Sequence, residues 1–502
     1  MKKILALLLS LFILCSCGTN VAENTDETVK STNTEFGVSI VPEMGINPFT
    51  VKSKENLELF GLIFEGLFEL DEKFEAVAVL ANQYSKKDNI YTITIKGDRV
   101  FSDGTPLTAD DVAYSLNLAK SEESYFATRL TNISSVVAMG NTLTITLINP
   151  NAKLPNLLDV PIIKKGSEAG IPIGTGPYRL LYNVDSKEYS LAKNTHWPNS
   201  STLPYDSIKV LSVSGVDELV WGFESMNIDF ITLDPTGTNP YFFRGDYHST
   251  DIASTSLVHL GFNHNVRTLQ NPSVRRAISC AIDRKSATEQ DFALMGHPAT
   301  LPIHPLCRAY NEEIAAENDY SKENSLAFFI NGGFKDTNND GKLDNSYRSY
   351  TLLVNSENKS RVALARRIAE TLTNMGFVVN VREEKWESYK RSLANGDFDM
   401  YITEINMRAD FNLDSIIRSG SYLNYGGYSS ADTNGQLLSY NNLKLTEGDE
   451  MDSFLRHLNE TCPIVPILFK KHAAVTHKGF FDGITPTTHN SYYKFNSWKV
   501  VE

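Results

Sequence analysis

The chain has 502 residues, 41% of them hydrophobic, and carries a formal charge of −13. Roughly 465 residues beyond the N-terminal region exceed what a single typical core fills, so two or more domains are expected. The acidic balance argues against nucleic acid as a partner and against a basic face that coats a membrane.

In chain order, the first signal is Lys2 and Lys3 followed by an apolar run from Ile4 to Leu14. The run is too short to span a bilayer and reads as a secretory signal over residues 1–16. It ends at Leu14-Cys15-Ser16-Cys17-Gly18, which resembles the bacterial lipobox, with a leucine three residues before the modified cysteine. That resemblance implies lipidation of Cys17 as the first mature residue, and a protein held by its lipid on the outer face of the cell membrane. Losing Lys2 and Lys3 takes the charge from −13 to −15. Two or more acyl chains suffice for stable anchoring. Residues 17–35 are rich in Thr, Asn, Asp and Glu and read as a flexible tether. No other stretch approaches 18 consecutive apolar residues.

Strands and helices then interleave. Phe36–Val41, Tyr91–Ile95 and Leu143–Leu147 predict strands, the last two by clean alternation. Thr108 with Asp111 predicts a capped helix start, with Val112, Leu116 and Ala119 on one face. Asn271-Pro272 opens another helix, with Val274, Ala277, Ile278 and Ala281 inward. Arg361–Asn374 is a third helix, stopped near Gly376, and Phe377–Val379 begins a strand. The mixture points to an α/β protein. Cys280, Cys307 and Cys462 make neither a disulfide framework nor a CxxC knuckle; they read as buried free thiols, with one bridged pair as the alternative.

Five segments, in order over about 400 residues, resemble the peptide/nickel class of ABC-importer solute-binding proteins (family 5). They are Leu62–Phe68 (LIFEGLF), which looks like an early helix motif, Phe101–Val112 (FSDGTPLTADDV), Gly174–Tyr178 (GTGPY), Asn271–Arg284 (NPSVRRAISCAIDR) and Thr461–Phe469 (TCPIVPILF). Read locally they are scaffold: turns, a capped helix, and Arg275 and Arg276 solvating a helix face. The resemblance implies a two-lobed periplasmic-binding-protein-like fold (class II) with an extra inserted β-rich domain. Lobe I is expected from 36–50, 171–256 and 472–502, the inserted domain from 51–170, and lobe II from 257–471. It implies a monomeric receptor that captures a solute, foremost an oligopeptide, by hinge closure and delivers it to an ABC permease and ATPase. Sensing of a signalling peptide, and binding of a nickel or other metal chelate or another small solute, are the alternatives.

Candidate ligand contacts follow from the same resemblance. Asp410 matches the acid that holds a peptide's α-amino group; capping of a following helix is its other reading. Arg408 either holds a ligand carboxylate or pairs with Glu404 or Asp410 to shape the wall. The family tryptophan of this segment is absent, with Ile405 or Met407 in its place. Trp386 reads as an aromatic wall or as core packing. Asn424 and Tyr425, ahead of Gly426 and Gly427, read as a cleft loop or as a plain turn. Asp336–Asp344 imitates an EF-hand loop, but Tyr347 stands where the bidentate Glu belongs. His472 and His477 are poorly spaced for one metal face. The sequence carries no GxSxG, HExxH or phosphate-loop motif, and neither catalysis nor a cofactor is expected.

Overall fold

A computed structural model describes residues 35–344, 348–445 and 448–501. The signal segment, Cys17 and the tether lie outside the described residues.

Period-2 patterning builds the N-terminal half. In Ile90–Ile95 the side chains of Tyr91, Ile93 and Ile95 are buried while Thr92 faces out. This strand lies in an antiparallel sheet with Ala81–Lys87, Thr142–Leu147 and Ile133–Met139. Helix Ala109–Ala119 covers it with Val112, Leu116 and Ala119. The capping box that starts this helix is complete: Asp111 N–H donates to Thr108 Oγ1 (3.3 Å) and Thr108 N–H to Asp111 Oδ2 (3.0 Å). A second sheet orders Gly37–Ile40, Ser207–Ser212, Glu188–Lys193 and Tyr178–Asn183, with its first pair parallel. The two sheets share one continuous core, which takes in Phe36, Phe68, Tyr178 and the late aromatic group Phe481, Tyr492, Phe495 and Trp498.

The third sheet has seven strands. Its centre is an antiparallel pair, Tyr247–Phe262 and Ile464–His477, the two longest strands among the described residues. The early half of Tyr247–Phe262 pairs with Lys471–His477, and its late half with Ile464–Phe469. Between them the register shifts over Ser254, Thr255 and Ser256, a bulge in mid-strand. The late half is buried on both faces, Val258, Leu260 and Phe262 in one core and Leu257 in another. Strand Phe230–Leu233 extends the sheet at the Ala473–Thr476 end, while Met400–Asn406, Tyr350–Asn355 and Val379–Glu384 extend it on the other side.

The helix begun by Pro272 is capped by Asn271, and Lys359–Asn374 ends ahead of Gly376, whose φ is +90. Cys280, Cys307 and Cys462 are buried free thiols.

Three local expectations are corrected. Arg275 does not solvate a helix face. It is 2% exposed and donates to the carbonyls of Cys462 (2.8 Å), Leu269 (2.7 Å) and Thr461, tying down the C-terminal end of helix Asp449–Thr461. Leu62–Phe68 is not a helix. The helix is Lys54–Leu59, and the motif leaves a 3₁₀ turn to enter strand Phe68–Leu70. Its Ile63 carbonyl is taken by Gly176 N–H (2.9 Å), and a Cβ at Gly174 or Gly176 would lie 2.2 or 2.6 Å from that oxygen, so the GTGPY glycines allow this close crossing. The strand after Gly376 starts at Val379, because Phe377 is spent stacking on Tyr350 at 4.2 Å.

Candidate functional site

The strand bulge borders a cavity through Thr255 and Ser256. Ser254 donates its hydroxyl to Lys470 O (2.8 Å) and Ser256 to Asn406 Oδ1 (2.5 Å), while Met407 N–H donates to Thr255 O (3.0 Å). These bonds fix the exit of strand Met400–Asn406, and Asn406–Ala409 then runs along a cavity of about 700 Å³. That volume falls within the about 300–1,000 Å³ usual for small-ligand sites. The facing wall comes from helix Lys54–Leu59 and the segment after it, from Arg129, Asp159 and Trp197, and from Thr487–Tyr492.

Charge in this cavity is mostly paired. Arg129 and His489 both hold Asp159, His489 Nδ1 at 2.8 Å; burial opposes ionisation, but the two partners outweigh it and keep the carboxyl below its usual range. Lys54 lies 3.3 Å from Glu58, which also accepts from Thr232. Burial nonetheless raises Glu58. Glu65 accepts from the Trp197 indole (2.9 Å) and Thr175 (2.9 Å), with Arg99 at 4.0 Å, and burial raises it as well. Burial lowers His472, on the same wall, to about 4, so it is neutral near pH 7. Glu69 stands apart: its hydrogen bond comes from the neutral Asn490 (2.6 Å), and burial pushes it up to about 7.

Of the residues expected from sequence, Arg408 lines the cavity with 28% of its side chain exposed. Asp410 does not line it. Its side chain is fully buried, and Oδ2 accepts from Asn151 Nδ2 (3.1 Å) and Arg408 (3.2 Å) while Oδ1 accepts from Asn412 N–H (3.2 Å). The Asn151–Lys153 segment closes over it: Ala152 N–H donates to Asn441 O (3.0 Å), and buried Lys153 donates to Tyr440 O (2.7 Å). Phe74 packs nearby against Phe411 and His304. Glu404 is bound to the buried ammonium of Lys470 (3.2 Å), which also meets Asp234 (2.5 Å). Trp386 is 44% exposed, stacks on Tyr389 and lies outside the cavity lining. Asn424 bonds within its own loop, to Arg418 O and Tyr428 O, and Tyr425 packs edge-on to Tyr401. Gly426 serves a close backbone approach, to Phe262 O, since a Cβ there would lie 1.7 Å from it. The carboxylates of Asp336 and Asp344 accept backbone N–H groups of their own loop. No group of three or more His, Cys, Asp or Glu is placed to hold a metal among the described residues.

Sequence reasoning missed Glu58, Glu65, Glu69, Asp159, Trp197 and His489. Glu65 sits inside the LIFEGLF motif, so a signal exists there, but the local pattern of that motif speaks only for scaffold. Asp159 and His489 meet across 330 residues, and nothing in the chain's pattern announces that.

The model of the bacterial extracellular solute-binding proteins, family 5 (middle region), matches residues 75–422. The chain belongs to that family. Among family relatives, the oligopeptide-binding protein AppA of Bacillus subtilis (strain 168) is 24% identical over 463 residues, covering 85% of this chain and 84% of its own. The periplasmic murein peptide-binding protein MppA of Escherichia coli (strain K12) is 25% identical over 474 residues, covering 84% and 85%. Among solved structures, a murein tripeptide-binding protein MppA in its unliganded open form superposes with a TM-score of 0.75 at 19% identity, over 93% of this chain and 98% of that one. NikZ from Campylobacter jejuni, in complex with Ni(L-His), superposes at 0.62 and 21% identity, over 93% and 99%. The fold is therefore two-lobed, α/β and periplasmic-binding-protein-like. As a family-5 member the chain is an extracellular solute-binding receptor that works with an ABC importer, not an enzyme. No helix among the described residues is long and apolar enough to cross a membrane.

Proposed function

We propose that the solute of this receptor is an oligopeptide, bound in the cavity beside the Ser254–Ser256 bulge and enclosed by rotation of two lobes about that bulge. The cavity carries the reading. It offers apolar surface from Leu57, Val79 and Trp197 between spaced polar groups, which suits a chain of amides with varied side chains. The names of the AppA and MppA relatives, both peptide binders, favour the same solute class. Lobe I is assigned to 36–50, 171–256 and 472–502, its inserted domain to 51–170, and lobe II to 257–471. A monomer is assigned, held at the outer membrane face through lipid on Cys17. Solute then bridges the lobes, and only the closed arrangement contacts it from both sides.

Native mass spectrometry of the purified protein, offered a chymotryptic casein digest and Ni(II)–histidine side by side, tests the solute class. Retained peptide masses are the expected result. Retention of Ni(II)–histidine with no peptide refutes the reading and favours the metal-chelate alternative. For the anchor, Cys17→Ser is expected to abolish labelling by a fatty-acid probe in cells, and persistent labelling refutes it.

A further inference from the structure

We propose that Glu69, rather than Asp410, is the carboxylate that reads a primary ammonium group of the bound peptide, with Asn490 orienting it. The inference rests on the peptide reading above and names the chemistry of one subsite.

The argument is one of unmatched charge. Around the cavity, Glu58 has Lys54, Asp159 has Arg129 and His489, Arg408 has Asp410, and Lys494 has Glu72. Even Glu65 has Arg99 at 4.0 Å and two neutral donors. Glu69 also lines the cavity, yet among the described residues it forms no ion pair. Asn490 Nδ2 donates to Oε1 at 2.6 Å and leaves Oε2 available. Asn490 is itself placed, because its side-chain oxygen accepts Tyr492 N–H (2.9 Å) and its N–H meets Thr487 Oγ1 (3.1 Å). Burial is the main cause that lifts Glu69 to about 7, against the Asn490 hydrogen bond; of its charged neighbours, Glu65 and Asp159 raise it further and Lys494 lowers it. An arriving ammonium relieves that burden by a charge-assisted bond. Asp410 already has a cation of its own lobe, Arg408, and the Asn412 N–H beside it, and in this arrangement Asn151 from the other lobe completes its burial.

The ammonium has two sources in a peptide, the α-amine and a lysine side chain, and the test separates them. One casein sample is digested with chymotrypsin untreated. A second is acetylated before digestion, which blocks lysines but leaves new α-amines free. A third is acetylated after digestion, which blocks both. Each is offered to the wild-type protein, to Glu69→Gln, to the shorter acid Glu69→Asp and to Asp410→Asn, and retained peptides are quantified. Wild type is expected to retain free-amine peptides at least about tenfold better than fully blocked ones, as loss of a desolvated charge pair implies. Glu69→Gln is expected to remove that preference, Glu69→Asp to keep part of it, and Asp410→Asn, per folded molecule, to keep it. Strong retention of the lysine-blocked arm assigns Glu69 to the α-amine; a fall to the fully blocked level assigns it to lysine. Equal retention of all three arms by wild type overturns the inference while leaving the peptide reading standing, as does a preference that survives in Glu69→Gln but vanishes in Asp410→Asn. No retention from any arm overturns both.

Discussion

Replacing Asp410 by Asn should unfold the protein more easily. The carboxylate serves three donors with two oxygens: Asn151 Nδ2 at 3.1 Å and Arg408 at 3.2 Å on Oδ2, and Asn412 N–H at 3.2 Å on Oδ1. An asparagine has one acceptor end. With its oxygen toward Asn151 and Arg408, its NH₂ confronts the Asn412 N–H; flipped, it confronts two donors at once. The better orientation still strands one part-buried backbone donor, at about 1–3 kcal/mol, and replaces the ion pair to Arg408 by a bond to a neutral acceptor, at about 1 kcal/mol more. The expected loss is about 2–4 kcal/mol, read as a lower urea midpoint of the first unfolding transition. Because Arg408 is one of the partners, the double variant Asp410→Asn/Arg408→Met should fall short of the sum of the single effects by about 1 kcal/mol or more. An unchanged midpoint in Asp410→Asn, joined to a lost preference for free-amine peptides, would refute this account and return Asp410 to the solute.

Three further outcomes are expected. Gly176→Ala places a Cβ 2.5 Å from Ile63 C and should lower the unfolding free energy from urea titration by about 1–3 kcal/mol, whereas Gly170→Ala, with nothing within 4 Å, should not; equal effects would show that the Ile63 crossing is not tight. His259 is buried with both ring nitrogens unpartnered, and burial lowers it from 6.5 to about 4, so as pH falls across that window the unfolded chain takes up a proton that the folded chain refuses. Stability contributed by the neutral ring is thus lost on acidification, and His259→Leu should flatten the slope of stability against pH between 6.5 and 4 by up to about 1.4 kcal/mol per unit, an unchanged slope refuting it. Lys470→Met strands Asp234 and Glu404 around a fully buried position and should cost about 3 kcal/mol, a loss under about 0.5 kcal/mol showing that the triad is idle.

Sequence revealed what is decided within a few residues. Thr108 and Asp111 lie three apart and make the box their types promise; Asn271 caps and Pro272 opens a helix; Tyr91, Ile93 and Ile95 alternate because only one face of their sheet is buried. The five motif segments revealed the family for a related reason, since each is a turn or packing element with tight local demands. The site was less legible because its pairs are assembled by the fold. Glu69 and Asn490 are 421 residues apart, and Asp410 meets Asn151 across 259. Spacing along the chain cannot tell a carboxylate that faces a cavity from one consumed by a side chain arriving from elsewhere. Arg275 misled for the same reason: next to Arg276 in the chain it suggests a solvated pair, but carbonyls that bury it come from the end of another helix, more than 180 residues on.

The two long central strands limit how this molecule can move. Tyr247–Phe262 and Ile464–His477 are laddered together on both sides of the bulge. A slide by one residue would exchange the two faces, moving Val258 and Leu260 out of one core and Leu257 out of the other. Shear is therefore closed to the pair, and so is splaying, which breaks the ladder. What remains soft is flexure and twist where the ladder is interrupted, over Ser254–Ser256 and at the smaller register shift between Val258 and His259. Bending over so short a stretch changes the angle between the two halves of each strand and leaves the pairing within each half intact.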